Sequence, residues 1–230
     1  MTSAVDVVLE LFEGRSSVGI TGSVCAGKSE LAADVLRSAE TLGRTPVLCC
    51  TDAFLWPNLV LDERGASSRK GFPESYDVAA LRAALELLTA GEAVELPVYS
   101  HDSYDIVPGA SLTAGPGDLV VVDGLHLGAF ARDLLGALVY LEVEPQVLEA
   151  WYLARLTAIV DAVLDDPADT SFYSRFAAMD AGERTALYRH LWRTINLVNL
   201  HQHISTDRAR ADVIIRLGPD HGVQDVVRAV

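Results

Sequence analysis

The chain has 230 residues, of which half are hydrophobic, and a formal net charge of −14. This length predicts a single α/β domain over residues 1–230, and the hydrophobic content excludes a disordered chain. The acidic balance argues against a general nucleic-acid binder, because a phosphate backbone requires a surplus of lysine and arginine. A single nucleotide is not excluded, since a local cationic site fits inside an acidic protein.

A cytoplasmic protein is predicted from the cysteines and from the absence of targeting signals. Cys25, Cys49 and Cys50 are odd in number and lack the spacing of metal ligands, which is typical of free thiols in a reducing compartment. The first 14 residues lack the basic start and cleavage site of a leader, and no apolar stretch is long enough to span a membrane. We therefore expect no membrane partner.

Strands alternate with helices along the first half of the chain. A lead-in helix, a strand, a helix, a second strand and a further helix are predicted at Val5–Phe12, Ser17–Thr21, Lys28–Leu42, Thr45–Cys50 and Asp77–Thr89. The last of these helices has apolar residues at helical spacing, an acidic cap and Gly91 beyond its end. This alternation predicts a parallel sheet with helices on both faces.

The second half continues the pattern and adds a helical region. Two strands, a helix begun by a proline, and a late strand are predicted at Leu119–Val122, Ala137–Val143, Pro145–Leu164 and Asp212–Leu217. Helices are predicted over residues 170–202, as a lid or substrate-binding region, and again after the last strand. The segments 56–73 and 99–117, interrupted by proline and glycine, are expected to be long functional loops.

An eight-residue segment after the first strand matches the pattern G-x-x-x-x-G-K-[ST] in full. It consists of Gly22, Ser23, Val24, Cys25, Ala26, Gly27, Lys28 and Ser29. In such a P-loop the backbone N–H groups and the following helix N-terminus bind phosphates, Lys28 reaches the β- and γ-phosphates of ATP, and the Ser29 hydroxyl ligates Mg²⁺. The alternative is a glycine-rich turn before a helix. Cys25 is interpreted as a small loop residue, with a redox role as the alternative.

Two aspartates follow predicted strands. Asp52 lies just beyond the second strand, and Asp123 directly follows Leu119–Val122. Ligands of open parallel sheets bind outside the carboxyl ends of the strands, and phosphoryl transfer needs a carboxylate for the hydroxyl proton and another for Mg²⁺. We assign Asp123 to the metal and Asp52 to the base. The alternative for each is an ordinary turn aspartate.

Several blocks of sequence resemble the type I, bacterial pantothenate kinases. They are Thr51–Leu55, Lys70–Asp77, Pro97–His101 followed by Tyr104 and Asp105, Trp151 and Tyr152 with Arg155, and Ile195 and Asn196 with Asn199 and Leu200. The Lys70–Asp77 block is long and specific, whereas the related uridine kinases and phosphoribulokinases share mainly the P-loop. The resemblance covers the chain from about Val18 to its end.

This resemblance implies a nucleoside-kinase type of fold and the phosphorylation of pantothenate by ATP and Mg²⁺, at the entry to coenzyme A. It implies that Asp52 is the base, that Arg155 holds the transferring phosphoryl group, and that His221 lies by the adenine. It also implies an acceptor pocket formed by Tyr99, His101, Tyr152 and Asn196. Homodimer formation is left open.

The chain also departs from the family pattern. The segment before the first strand is shorter than in typical members. Val-Asp-Gly-Leu-His, ending at His126, stands where the family has Leu-Glu-Gly-Leu-Asn, and Leu156 and Ile159 replace two phenylalanines that border the acceptor pocket. Two alternatives therefore stay open. One is a kinase of another small alcohol, such as uridine, a ribulose phosphate or a glycerate-like acid, and the other is a non-catalytic nucleotide-binding regulator.

Overall fold

A six-stranded sheet organises the fold in the computed structural model, which describes residues 3–117, 119–166 and 168–229. The strands are β1 (Ser17–Gly22), β2 (Pro46–Cys50), β3 (Val94–Ser100), β4 (Asp105–Ala114), β5 (Leu119–Asp123), β6 (Ala137–Glu142), β7 (Val213–Leu217) and β8 (Val223–Arg228). The sheet runs in the order β2-β5-β1-β6-β7-β8, and β3 pairs with β4 separately. All neighbours in the sheet are parallel except β8, which is antiparallel to β7.

Helices cover the sheet. They are α1 (Ala4–Glu10), α2 (Lys28–Thr41), α3 (Asn58–Glu63), α4 (Val78–Thr89), α5 (Leu127–Phe130), α6 (Pro145–Asp165), α7 (Ala181–Leu191) and α8 (Leu197–Gln202). Local sequence sets their starts: the Asp77 side chain accepts from the Ala80 backbone N–H at 3.0 Å and caps α4, while Pro145 opens α6. In the described part of the chain, none of these helices combines the length and apolar character needed to cross a bilayer.

The centre of the sheet is buried along its length. Strands β1 and β5 are buried at every position, which is typical of parallel strands covered on both faces. Helix α2 packs against β1, β2 and β5, while α5 and the turn Ile204–Arg210 pack against β1. Because β1, β5 and β2 are parallel neighbours, their carboxyl ends lie side by side at one edge of the sheet.

The predicted fold is confirmed: the chain forms a helix-flanked parallel sheet with a helical region after residue 170. The closing helix predicted after the last central strand is wrong. The turn 218–222 reverses the chain, and Val223–Arg228 pairs with β7 as a strand. Valines suit this half-buried edge, and the pairing gives their backbone groups partners in β7.

The two segments predicted as long loops contain regular structure. Residues 56–73 include α3 and a short 3₁₀ turn, and much of 99–117 belongs to the β3–β4 hairpin. The prolines at positions 97 and 108 lie within strands of this two-stranded unit, whose outer edges leave room for residues without an N–H donor. The loop prediction was wrong for most of these residues.

Candidate active site

The P-loop connects β1 to α2 and has the backbone that its glycines permit. Gly27 has φ of +82° and immediately precedes α2, which begins at Lys28. At Gly22 a Cβ atom would lie 2.7 Å from the Leu141 carbonyl oxygen, so a side chain has no room there. The Lys28 ammonium donates to the Ser23 carbonyl at 2.8 Å and so lies across the loop.

Ser29 and Asp123 meet beside this loop. The Ser29 hydroxyl donates to Oδ2 of Asp123 at 2.6 Å. Asp123 is buried, its Oδ1 has no hydrogen-bond partner, and burial raises its pKa while the charge of Lys28 opposes that rise. An orphaned carboxylate oxygen next to a hydroxyl is a donor set that suits Mg²⁺, which binds proteins through one or two oxygens and completes its shell with phosphates and water.

Asp52 lies at the same edge as Asp123. It belongs to the 3₁₀ turn Thr51–Phe54 that directly follows β2, and its charge contributes to the raised pKa of Asp123. The loop after β5 packs tightly on this turn: a Cβ at Gly124 would lie 1.8 Å from Oγ1 of Thr51, which accepts from the Leu125 N–H at 3.2 Å. The structure thus brings together the two acids that the sequence predicted at strand ends.

A cavity of about 1210 Å³ opens in front of the P-loop. Arg155 lines it and lies close enough to the Cys25 thiol for the guanidinium charge to act on that group. On its far side the His221 ring stacks on Trp151, with centroids 3.9 Å apart and planes at 15°. The Trp151 indole N–H donates to the Pro219 carbonyl at 3.3 Å, which fixes this aromatic pair at the cavity wall.

The Cys25 thiol is held in its protonated form. Burial raises its pKa even though the positive charges of Arg155 and Lys28 act in the opposite direction. A reactive cysteine needs thiolate character, so the environment favours the interpretation of Cys25 as a small loop residue over a redox role.

The residues assigned to the acceptor pocket come from three elements. Tyr99 lies on β3, and Tyr152 lies on α6 beside the Asn196 side chain. His101 is exposed in the β3–β4 turn and meets the Tyr99 ring edge-on at 5.2 Å. Burial raises the pKa of Tyr99, and the nearby charge of Asp52 adds to the rise.

Lys70 is a further cation of this region. Its ammonium donates to the Asn58 side-chain oxygen and to the Tyr104 carbonyl, both at 2.6 Å, and lies 5.1 Å and 4.6 Å from the ring centroids of Tyr99 and Tyr104. Burial lowers the pKa of Lys70, while the charges of Asp105 and Asp52 oppose the change. Lys28 and Lys70 are the two lysines of the sequence, and this rarity is a signal that could have marked Lys70 as functional.

Aromatic residues after residue 170 pack against the β3–β4 hairpin. Phe172 stacks on Tyr104 with centroids 4.6 Å apart, and its backbone N–H donates to the Asp102 carbonyl at 2.6 Å. The neighbouring Tyr173 is close enough to Arg155 for that charge to act on its pKa. The sequence blocks that resemble the family do not include these two rings, so they were not predicted as part of the pocket. Burial raises the pKa of Tyr104 to about 12, so this phenol stays neutral.

Comparisons with known proteins agree with this geometry. The model of the phosphoribulokinase / uridine kinase family matches residues 17–159. A pantothenate kinase of Sorangium cellulosum (strain So ce56) is 41% identical over 223 residues, covering 91% of this chain and 71% of that protein. A pantothenate kinase of Streptococcus pneumoniae (strain P1031) is 36% identical over 218 residues, with the same coverage.

Solved structures show the same fold at low sequence identity. The D-glycerate 3-kinase of Cryptococcus neoformans var. grubii is 12% identical with a TM-score of 0.69, covering 98% of this chain and 97% of that one. Phosphoribulokinase from Rhodobacter spheroides is 15% identical with a TM-score of 0.53, covering 88% and 70%. The family match, the relatives and the P-loop geometry lead to one conclusion: the chain belongs to the phosphoribulokinase / uridine kinase family and is an ATP-using P-loop kinase.

Proposed function

We propose that the protein transfers the γ-phosphate of ATP to the hydroxyl group of pantothenate, giving 4′-phosphopantothenate. The observation that carries the proposal is the convergence of the pantothenate-kinase sequence blocks. Asp52, Tyr99 and Tyr152 come from three distant segments, and each lies close enough to Tyr104 for a charge on one to act on the other. The names of the relatives at 36% and 41% identity support pantothenate as the acceptor.

The nucleotide binds in the cavity in front of the P-loop under this proposal. The loop N–H groups and the Lys28 ammonium hold the phosphates, and Lys28 leaves the Ser23 carbonyl to do so. The adenine ring lies at the cavity wall formed by Trp151 and His221, whose stacked rings offer an aromatic surface. Ser29 and Asp123 would hold Mg²⁺, which would supply charge neutralisation for the phosphates.

The chemical step needs a base and a cation at the transferring group. Asp52 accepts the proton of the acceptor hydroxyl as its oxygen attacks the γ-phosphorus; the bond from that phosphorus to the β–γ bridging oxygen breaks, and ADP leaves. Arg155 lies on the cavity side and stabilises the charge on the transferring phosphoryl group. The neighbouring Tyr152 and Asn196 side chains orient the acceptor, together with Tyr99 and His101.

An ATP-consumption assay against a panel of acceptors tests this function. Pantothenate, uridine, ribulose 5-phosphate and glycerate are each supplied with ATP and Mg²⁺, and the product is identified by mass spectrometry. We expect a phosphorylated product from pantothenate, with kcat/KM at least tenfold above that of the other three, as a pocket with specific polar contacts gives. Preference for another member of the panel would reassign the acceptor, and no turnover of any would favour a nucleotide-binding regulator.

We also infer a cytoplasmic location and leave a homodimer as a proposal to be measured. Cys25, Cys49 and Cys50 are free, and burial raises the pKa of Cys49 to about 12. Unpaired thiols of this kind suit a reducing compartment. Light scattering of the purified chain measures its mass in solution and decides between monomer and dimer.

A further inference from the structure

The carbonyl oxygen of Gly71 receives hydrogen bonds from two side chains that lie far away in sequence. Nε2 of His126 lies 2.9 Å from it, and Nδ2 of Asn199 lies 2.7 Å from it. A carbonyl oxygen can only accept, so Nε2 of His126 carries the hydrogen of the neutral ring. Both donors are buried, with 1% of His126 and 4% of Asn199 exposed. Water is therefore a poor substitute for either bond.

The other backbone group of Gly71 is held as well. Its N–H donates to the Ser75 hydroxyl at 2.9 Å, and that hydroxyl donates to the Phe72 carbonyl at 2.7 Å. Gly71 has φ of +90°, a conformation that side-chain-bearing residues rarely adopt. The backbone at this position is thus fixed from both sides in a geometry that it would not keep by itself.

Fixing Gly71 fixes the residue before it. Lys70 extends from this backbone to the Asn58 side-chain oxygen and the Tyr104 carbonyl, with its ammonium against two tyrosine rings. Burial of this cation is tolerated only with such partners in place. The direction of the Lys70 side chain therefore depends on where the Gly71 peptide is held.

His126 also connects the segment around Gly71 to Asp123, the acid assigned to the metal. It lies three residues after Asp123, with φ of +61° at the start of α5, and its ring packs between Tyr76 and Phe130 at centroid distances of 5.9 and 5.3 Å. One short turn at the end of β5 thus carries both the Asp123 carboxylate, which contacts the P-loop serine, and the His126 imidazole, which contacts Gly71. The His203 ring approaches His126 at 6.2 Å.

We propose that His126 and Asn199 are positioning residues of the acceptor site. They clamp the Gly71 carbonyl and so hold Lys70 against Tyr99 and Tyr104, without touching ATP. The inference rests on the proposed function for the identity of the acceptor but not for the clamp itself.

Steady-state kinetics separate positioning from a general structural role. His126→Leu and Asn199→Leu each remove one donor and so loosen the backbone that holds Lys70. We expect each to raise KM for the acceptor about tenfold, with KM for ATP changed less than about twofold. His126→Gln, whose amide can reach the same carbonyl, should recover most of the loss. His203→Leu is the matched control, since it removes a neighbouring ring and leaves both donors. An equal rise in both KM values, or no rise in the acceptor KM, would overturn the proposal.

Labelling of the two lysines tests the clamp without any acceptor or turnover. The folded chain is treated briefly with an amine-acetylating reagent, and modification of Lys70 and Lys28 is measured by peptide mass spectrometry. We expect His126→Leu and Asn199→Leu to increase Lys70 acetylation several-fold over the native chain, with Lys28 unchanged and His126→Gln near native. Unchanged Lys70 labelling in both leucine variants would refute the clamp. If the native chain turned over no acceptor, the proposed function would fail while this measurement still decided the clamp.

Discussion

The Ser29 hydroxyl donates a 2.6 Å hydrogen bond to Oδ2 of Asp123, which joins the first turn of α2 to the last residue of β5. The other carboxylate oxygen of Asp123 is buried and has no hydrogen-bond partner among the described residues. Asp52 lies on the neighbouring strand end, close enough for its charge to act on Asp123. The hydrogen bond with Ser29 therefore ties Asp123 to the P-loop side, and the assignment of the acceptor hydroxyl to Asp52 stays a prediction.

This division predicts different defects for the two amides. Asp52→Asn should lower kcat by about a hundredfold or more, because an amide cannot accept the hydroxyl proton, and should change the Mg²⁺ requirement little. Asp123→Asn should instead raise the Mg²⁺ concentration for half-maximal rate, since it removes a charged oxygen ligand. Titrations of Mg²⁺ at saturating ATP measure both. Rescue of Asp52→Asn, and not of Asp123→Asn, by excess Mg²⁺ would reverse the two assignments.

Replacing the P-loop lysine should abolish turnover and leave the fold intact. Lys28→Met should lower kcat by at least about a thousandfold, because the ammonium stabilises charge that grows between the β- and γ-phosphates. Its hydrogen bond in the structure is to one loop carbonyl, so the fold does not depend on it. Arg37→Met, at an exposed position of the same helix, is the control and should keep full activity. Near-native kcat in a folded Lys28→Met protein would contradict the kinase mechanism.

Contiguous signals made the nucleotide half of the site predictable. The P-loop is one unbroken segment whose glycines force its backbone, and Asp52 and Asp123 meet because the carboxyl ends of parallel strands share an edge. The prediction of these positions needed only the order of strands. The roles of these residues stay predictions.

The positions of Gly71 and Tyr104, in the region proposed for the acceptor, depend on contacts that the sequence does not display. The Gly71 carbonyl is bound by Asn199, which is 128 residues away, and Phe172 reaches Tyr104 across another long separation. No local pattern announces such pairs. The strand Val223–Arg228 was missed although its valines favour a strand, and its pairing with β7 is a contact that the sequence does not display.

The close approach of Gly124 to Thr51 predicts that a single added methyl group at position 124 lowers the stability of the protein. Gly124→Ala places a Cβ 1.8 Å from Thr51 Oγ1, so the turn bearing Asp52 or the loop after Asp123 must shift. Overpacking of this kind costs about 1–3 kcal/mol, which corresponds to a fall in Tm of roughly 3–10 °C for a chain of this size. We expect kcat to fall as well, because both acids flank the contact. Gly115→Ala is the control, since no atom within 4 Å meets its Cβ; a native Tm for Gly124→Ala would contradict the packing.

Acid should destabilise the protein through His126, whose pKa burial lowers from 6.5 to about 4. Above pH 6.5 the ring is neutral in both the folded and the unfolded chain, so its contribution does not change with pH. Between pH 6.5 and 4 the unfolded chain binds a proton at His126 and the folded chain does not, so the free energy of unfolding falls as the pH falls. The total loss is about 3 kcal/mol, at about 1.4 kcal/mol per pH unit.

Urea unfolding at pH 7 and pH 4.5 measures this loss of unfolding free energy, and His126→Gln should lose most of the pH dependence. The buried acids Asp123 and Asp207, whose pKa values burial raises, titrate in both proteins and largely cancel in the difference. His190→Gln, at an exposed position, should behave as the native chain, and equal pH dependence in the native chain and in His126→Gln would show that His126 is not buried as a neutral ring.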